Sequence, residues 1–145
     1  MRVESPVFSN NESIPVAYTC DGKEKNPPFQ FFDVPTEAKS LVLIVDDPDA
    51  PGGDFVHWLV WNIDPRTTEI TEASVPPGAI QGTTDFGTTG YGGPCPPSGT
   101  HRYQFKLYAL DTSLSLPPST KKSALEAAMK GYVLTEARLV GLYKR

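Results

Sequence analysis

The chain has 145 residues, of which 39% are hydrophobic and 21% are charged, and its formal net charge at pH 7 is −4. This size and composition are typical of one globular domain, here residues 1–145, and exclude a disordered chain. Because no run of basic residues is longer than Lys121–Lys122, the chain has no basic patch that would bind nucleic acid through its phosphates.

The sequence also limits where the protein acts. No apolar stretch approaches the length of a membrane span, the longest aliphatic one being Leu41–Val45, so integral membrane association is not expected. The opening MRVESPVFSN has neither the charged nor the apolar region of an export signal. We therefore expect a cytoplasmic protein, and a secreted form whose signal has been removed stays open.

Strand patterns dominate the middle of the chain. Phe29–Phe31 is a weak candidate, whereas Ser40–Val45 is apolar on both faces, as is typical of a central strand covered on both sides. Prolines and glycines in Asp46–Gly53 predict a loop, and Phe55–Asn62 follows as a second strand. The third strand, His101–Leu110, alternates, and one of its faces carries His101, Tyr103, Phe105, Leu107 and Ala109.

One helix is predicted near the end of the chain. Lys121–Lys130 has helical spacing of apolar residues, with Ser119 or Thr120 as the N-cap and Gly131 as the stop. The tail, residues 133–144, fits either a strand or a helix, and its composition favours the strand. With 15 prolines gathered in shaped loops, the chain predicts a mostly β protein with a short helix.

The chain has two cysteines, Cys20 and Cys95, whose spacing matches no zinc-site pattern. They are either free or paired across a long loop. A cytoplasmic location slightly favours free thiols, except in hyperthermophiles. A bridge would stabilise the fold by about 4–5 kcal/mol on the chain-entropy estimate.

The only two histidines lie in strand patterns beside unusual loops. His57 is surrounded by aromatic and aliphatic residues, and His101 directly follows a loop rich in glycine and proline. A buried histidine either bonds its ring nitrogens internally or faces a cavity. One such residue is more often a core histidine bonded to a carbonyl, but two of them favour a shared pocket.

Three carboxylates, Asp46, Asp47 and Asp49, crowd the end of the first strong strand. Turn chemistry accounts for one or two of them, since Asp before Pro starts turns. Three in four residues repel one another unless donors lie opposite, and a histidine is a natural donor. A contact between Asp and His would fix the imidazole tautomer and leave the other ring nitrogen to face an anion.

The loop Gly92–Gly99 reads GGPCPPSG. Its glycines allow the backbone to approach a ligand closely, while its prolines fix the direction of the chain and remove N–H donors. Exposed amides, Ser98 and a flanking histidine would together make a small concave site for an oxyanion. The loop lacks the Gly-Lys-Ser/Thr ending of a nucleotide-binding P-loop.

Two motifs together resemble those of the phosphatidylethanolamine-binding protein family. DPDAP with HWLV and Asn62 resembles its first signature, and GPCPPSG with His101-Arg102-Tyr103 resembles its second. Flanking features, including YTCDG near the start and Asp85-Phe86-Gly87, are similar to the bacterial and archaeal branch called Raf-kinase-inhibitor-like. The resemblance covers nearly the whole chain.

This resemblance implies a two-sheet antiparallel β-sandwich-like domain with one or two short helices and a small anion pocket at one end. By residue matching, Asp47, His57, His101 and Tyr103 line the pocket, Pro51 and Pro97 shape its rim, and Cys95 contributes a backbone amide. A disulfide between Cys20 and Cys95 stays open, and prokaryotic relatives suggest a homodimer.

Three functions are weighed. The favoured one is a non-enzymatic binding protein for a small anionic ligand, either a phosphate-type head group or a carboxylate. The alternative is an inhibitor of a serine protease or a regulator of a protein kinase, acting through its rigid loops. Catalysis is the least favoured. A metal site could be built from Asp47, His57 and His101, or Ser98 could act as a nucleophile, but the sequence has no known catalytic motif that supports either hypothesis. We assign no catalytic residue, metal or cofactor.

Overall fold

Nine strands and one α-helix make up the computed structural model, which describes residues Met1–Arg145. A single 3-10 turn covers Val16–Tyr18. The elements in chain order are β1 (Arg2–Glu4), β2 (Glu12–Ser13), β3 (Phe29–Phe32), β4 (Ser40–Asp47), β5 (Phe55–Ile63), β6 (Glu69–Ile70), β7 (Ile80–Gln81), β8 (Thr100–Leu110), α1 (Lys122–Met129) and β9 (Val133–Lys144).

The strands form two sheets, as predicted. The smaller sheet has the order β1-β3-β6, and the larger has the order β2-β9-β8-β4-β5-β7. All pairings between strands are antiparallel except the short one between β2 and β9, which is parallel. The mostly β fold class with two sheets and a short helix is therefore confirmed.

Strand β4 lies at the centre of the larger sheet, and all eight of its residues are buried. One of its faces, with Leu41, Leu43 and Val45, packs into the core that lies between the two sheets. The opposite face, with Val42 and Ile44, packs in a second cluster that includes Leu125 and Met129 of α1. The apolar pattern on both faces thus reflects cover by a sheet on one side and by a helix on the other.

The helix begins later than predicted, and its predicted cap is wrong. Lys121 is the N-cap, and no side chain caps the first turn. The Thr120 N–H donates to the Pro117 carbonyl at 3.0 Å, so Thr120 closes a turn before the helix and does not cap it. The end is as predicted, because Gly131 follows the C-cap with a φ of 89°, which glycine adopts without strain.

The tail is a strand, as its composition favoured. Strand β9 pairs along β8 from Val133 to Lys144, so the two longest strands of the protein lie side by side. Gly141 is needed in this strand, because a Cβ there would lie 2.5 Å from the Ile14 side chain. Close packing against the chain near β2 thus explains the glycine.

Candidate functional site

Sheet topology brings the two sequence motifs together. Strand β4 ends at Asp47, and its neighbours β5 and β8 both run antiparallel to it. The end of β4 therefore lies beside the beginnings of β5 and β8, where His57 and His101 are found. The strand continues through Asp46 and Asp47, two residues beyond the predicted boundary, because Asp46 pairs with both β5 and β8 and Asp47 pairs with β5.

A cavity of about 200 Å³ lies at this end of the sheet. All seven residues predicted from the sequence line it. The complete lining is Asp47, Ala50, Pro51, Phe55, His57, Phe86, Cys95, Pro96, Pro97, His101 and Tyr103. Ser98, proposed as part of the oxyanion site, is exposed and does not line the cavity.

His101 and Asp47 form a buried pair at one wall of the cavity. The Nδ1 atom of His101 lies 2.7 Å from Oδ2 of Asp47, and the two side chains are 10% and 5% exposed. A carboxylate only accepts hydrogen bonds, so Nδ1 carries the proton and donates it. The expected contact between Asp and His is present, and Nε2 of His101 forms no hydrogen bond within the protein.

His57 is oriented differently, by a backbone carbonyl. Its Nδ1 lies 2.8 Å from the Gly92 carbonyl oxygen, which can only accept, so Nδ1 is again the protonated nitrogen. Gly92 in turn donates its N–H to the His57 carbonyl at 2.9 Å. Burial lowers the pKa of His57 below its usual value of 6.5, although the Gly92 carbonyl and the Asp47 carboxylate act in the opposite direction.

Tyr103 forms the floor of the cavity. Its side chain is fully buried, and its hydroxyl makes no hydrogen bond of standard geometry within the protein, although the Cys95 backbone and the Asp47 carboxylate lie near it. Burial, followed by the negative charge of Asp47, raises the pKa of this hydroxyl, so it is a neutral donor. A buried polar group without a partner carries a desolvation cost that a ligand acceptor would remove.

Aromatic rings and prolines surround this polar floor. Phe55 and Phe86 meet edge to face at a centroid distance of 4.9 Å, and each also contacts the His57 ring edge to face. Asp85 holds the Phe86 loop in place, because its carboxylate accepts from the Val56 N–H at 2.7 Å. The site therefore combines a small polar centre with an apolar rim.

Sequence reasoning did not assign Ala50, Phe55, Phe86 or Pro96 to the pocket. Pro96 stood beside an assigned residue, and Phe86 lay in the Asp-Phe-Gly segment that was noted only as part of the resemblance. Phe55 was treated as an ordinary strand residue. It lies directly opposite Asp47 in the pairing of β4 and β5, a register that the sequence alone does not show.

The three crowded aspartates have separate partners. Asp46 points away from the cavity and accepts from Lys106 Nζ at 2.6 Å and from Lys122 Nζ at 2.8 Å. Although burial opposes it, the pKa of Lys122 is raised by its hydrogen bonds to Asp46 and Asp54. Asp49 binds the Arg102 side chain through both carboxylate oxygens, and these hydrogen bonds lower the pKa of Asp49 to about 2. Only Asp47 faces the cavity.

Cys20 and Cys95 are joined by a disulfide, so the slight preference for free thiols is wrong. The two chain segments are aligned by a backbone hydrogen bond of 3.1 Å from the Cys20 N–H to the Pro94 carbonyl, which holds the cysteines in place for the bridge. Arg145 lies against it, with Nη1 at 3.1 Å from the Cys95 sulfur. Its backbone also pairs with Gly99 in both directions. One rim of the cavity is thus anchored at both ends.

No group of three or more His, Cys, Asp and Glu side chains is arranged to hold a metal ion. No helix of the structure is long and apolar enough to cross a membrane.

Comparison with known proteins agrees with the two motifs and the fold. The family model named phosphatidylethanolamine-binding protein matches residues 4–144. The chain is 50% identical over 150 residues to a UPF0098 protein of Methanothermobacter thermautotrophicus, covering 100% of this chain and 99% of that protein. It is 51% identical over 152 residues to a UPF0098 protein of Aquifex aeolicus, covering 100% and 89%.

Solved structures agree as well. A crystal structure of a phosphatidylethanolamine-binding protein homologue from Chlamydia trachomatis is similar with a TM-score of 0.96 and 42% identity, covering 99% of this chain and 97% of that one. YbcL of E. coli, described as a new member of the mammalian family, matches with a TM-score of 0.93 and 30% identity, covering 99% and 98%. The chain belongs to the phosphatidylethanolamine-binding protein family.

Proposed function

We propose that this protein is a non-enzymatic binding protein that holds a small oxyanion, of the phosphate or carboxylate type, in the cavity at the end of β4. The unpartnered hydroxyl of Tyr103 carries this proposal, because it is a buried donor at the floor of a cavity that two imidazole rings also line. Three polar groups converging on a small volume are typical of a ligand site.

The arrangement favours binding over catalysis. A nucleophilic or acid–base mechanism needs a reactive group within reach of a base, and the nearest hydroxyl to the histidines is Tyr103, whose pKa is raised by burial. Ser98 lies outside the lining. The residues therefore hold a ligand but offer no activated nucleophile.

An NMR titration tests the proposal. Phosphate, phosphoethanolamine and acetate are added to the protein while the ring resonances of His57 and His101 are followed. We expect both rings to shift and to saturate at millimolar ligand, whereas the ¹⁵N-¹H signals of α1, on the opposite face of the sheet, stay unchanged. If neither ring responds, the pocket does not bind oxyanions and the proposal fails.

The docking alternative remains a prediction. The rigid loop 92–99, anchored by the disulfide and by Arg145, would lose little conformational entropy on binding another protein. Chymotrypsin-like and elastase-like proteases are assayed with added protein. Inhibition at micromolar concentration would support this function, and its absence would count against it.

The expected homodimer is tested in the same preparation by light scattering.

A further inference from the structure

The protonation states of the two histidines limit which oxyanions the cavity accepts. His57 and His101 both use Nδ1–H to donate, one to the Gly92 carbonyl at 2.8 Å and the other to Asp47 at 2.7 Å. Neither acceptor can donate in return, so neither ring can move its proton to the other nitrogen without breaking this bond. In a neutral ring, Nε2 is then left as an acceptor.

An acceptor is the wrong group for an oxyanion. With neutral imidazoles, the cavity would offer one donor, the Tyr103 hydroxyl, and two acceptors, the Nε2 atoms of the histidines. A fully deprotonated oxyanion has only acceptor oxygens, so it would face the lone pairs of both rings. An oxyanion fits only when a proton lies between Nε2 and the ligand oxygen.

We propose that the cavity binds an oxyanion together with one proton, which is shared between the ligand and Nε2 of His57. The proton comes either from solvent, producing a charged imidazolium, or from a ligand that already carries an acidic hydroxyl, such as a phosphomonoester monoanion. In both cases the bound state contains a hydrogen bond from N–H to O or from O–H to N at this position. This inference rests on the proposed function and specifies the ligand it takes.

The environment of His57 assigns the proton to this ring. Its Nδ1 donates to a neutral carbonyl, whereas the Nδ1 of His101 donates to a carboxylate, which supplies a negative charge beside that ring before any ligand binds. The rings packed around His57 are Phe55 of β5, Phe86 of the adjoining loop and Tyr103 of β8, none of which carries a charge. The free protein thus has little to offset a positive charge on this ring.

Charged groups near His57 are few, and their roles are defined. Asp47 on β4 and Asp85 in the Phe86 loop favour its charged form, but Asp47 is bound to His101 and Asp85 to the Val56 N–H. Asp46 lies on the opposite face and is paired with Lys106 and Lys122. Burial is the dominant effect and lowers the pKa of His57, so the ring of the ligand-free protein is neutral at neutral pH.

Sulfate is the informative probe, because it carries no proton near neutral pH and has the size of a phosphate group. Calorimetric titrations at one pH in two buffers of different ionisation enthalpy count the protons taken up. We expect about one proton per bound sulfate at neutral pH. The dissociation constant should rise about tenfold per pH unit above the pKa of His57. Methyl phosphate, with a second pKa of about 6, should take up fewer protons as the pH falls below that value, because it brings its own.

The His57→Gln variant is the matched test of the assignment. Its amide supplies an N–H donor that does not titrate, so we expect sulfate to bind more weakly and without proton uptake. If uptake stays at one proton, the proton lies on another group and the assignment to His57 is wrong. Imidazole ¹⁵N NMR of the unmodified protein gives an independent reading that does not depend on the fold of a variant. Nε2 of His57 should change from an unprotonated to a protonated shift as sulfate saturates.

The outcomes separate this inference from the proposed function. If neither sulfate nor methyl phosphate binds, the proposed function itself fails. If sulfate binds with no proton uptake, with an affinity independent of pH and with an unprotonated Nε2, the function stands and the proton coupling is overturned. Binding with one proton on His57 supports both.

Discussion

His101 and Asp47 lie on neighbouring strands 54 residues apart in the chain, and their side chains meet at 2.7 Å with almost no exposure to solvent. The pair joins the two sequence motifs physically, since Asp47 begins the first and His101 belongs to the second. It also fixes the orientation of one imidazole at the cavity wall. Removing either partner would leave a buried polar group without a hydrogen bond.

The Asp47→Ala variant should therefore lose stability. The variant leaves the buried Nδ1–H of His101 without its acceptor, which costs about 1–3 kcal/mol, and the free energy of unfolding measured with urea should fall by an amount of this order. Asp49→Ala is the control, because Asp49 pairs with the largely exposed Arg102. An exposed pair contributes about 1 kcal/mol or less. Equal losses in the two variants would contradict the structural role given to Asp47.

Replacing Tyr103 by Phe should separate binding from stability. The free protein loses only a buried hydroxyl without a partner, so its free energy of unfolding should stay the same or rise by about 1 kcal/mol. Phosphate binding should weaken about tenfold or more, since a hydrogen bond to a charged ligand contributes about 1.5–3 kcal/mol. Thermal unfolding and calorimetric titration measure the two effects.

Tyr91→Phe is the matched control for this prediction. The Tyr91 hydroxyl donates to the Tyr18 carbonyl at 2.8 Å, so its removal should lower the stability by about 1 kcal/mol and leave phosphate affinity unchanged. A Tyr103→Phe variant that is less stable than the parent and binds phosphate equally well would show that the hydroxyl is structural.

The stability of the ligand-free protein should fall on mild acidification because of His57. Its pKa is lowered by burial in the folded state, so the unfolded chain binds a proton first as the pH drops through about 6.5. This contribution to stability is complete above that pH and is lost as the pH falls towards the folded value. Melting temperatures of the parent and of His57→Gln, recorded from pH 8 to pH 5, should diverge below about 6.5. Parallel curves would contradict the lowered pKa.

Reducing the disulfide should destabilise the protein and loosen one wall of the cavity. Cys20 and Cys95 are separated by 75 positions, for which the chain-entropy estimate is about 4–5 kcal/mol. A Cys20→Ser/Cys95→Ser protein should unfold at lower urea concentration and bind phosphate more weakly, because Cys95 lines the cavity. Arg145→Ala leaves the disulfide in place and serves as the control for the adjacent contact. If the serine variant keeps its full stability, the bridge does not form in solution.

Much of the fold followed from the sequence, because its strongest signals are local. Burial of β4 on both faces was visible as an unbroken apolar run, and alternation along β8 placed His101 and Tyr103 on one face. The predicted helix cap was wrong. Thr120 is a residue type that caps helices, but its backbone N–H closes a turn with the Pro117 carbonyl before the helix begins. The strand character of the tail depended on pairing with β8, which a local pattern cannot supply.

The candidate site was predictable in its residue types but not in its geometry. The residue types suggested a pocket shared by the two histidines with an aspartate beside one of them, and the resemblance then specified Asp47, His57 and His101. That Nδ1 of His57 binds the Gly92 carbonyl, or that the Tyr103 hydroxyl has no partner, depends on distances across the sheet. Phe86 was missed because the Asp85 contact to Val56, 29 residues away, brings it to the cavity.

The central claim is that the cavity floor binds an oxyanion through Tyr103 and the two histidines. A structure of the protein determined with bound phosphate tests it most directly. The account predicts a phosphate in the cavity, with an oxygen within hydrogen-bonding distance of the Tyr103 hydroxyl and others at Nε2 of His57 and His101. An empty cavity at saturating phosphate, or a phosphate that contacts none of these three atoms, would contradict it.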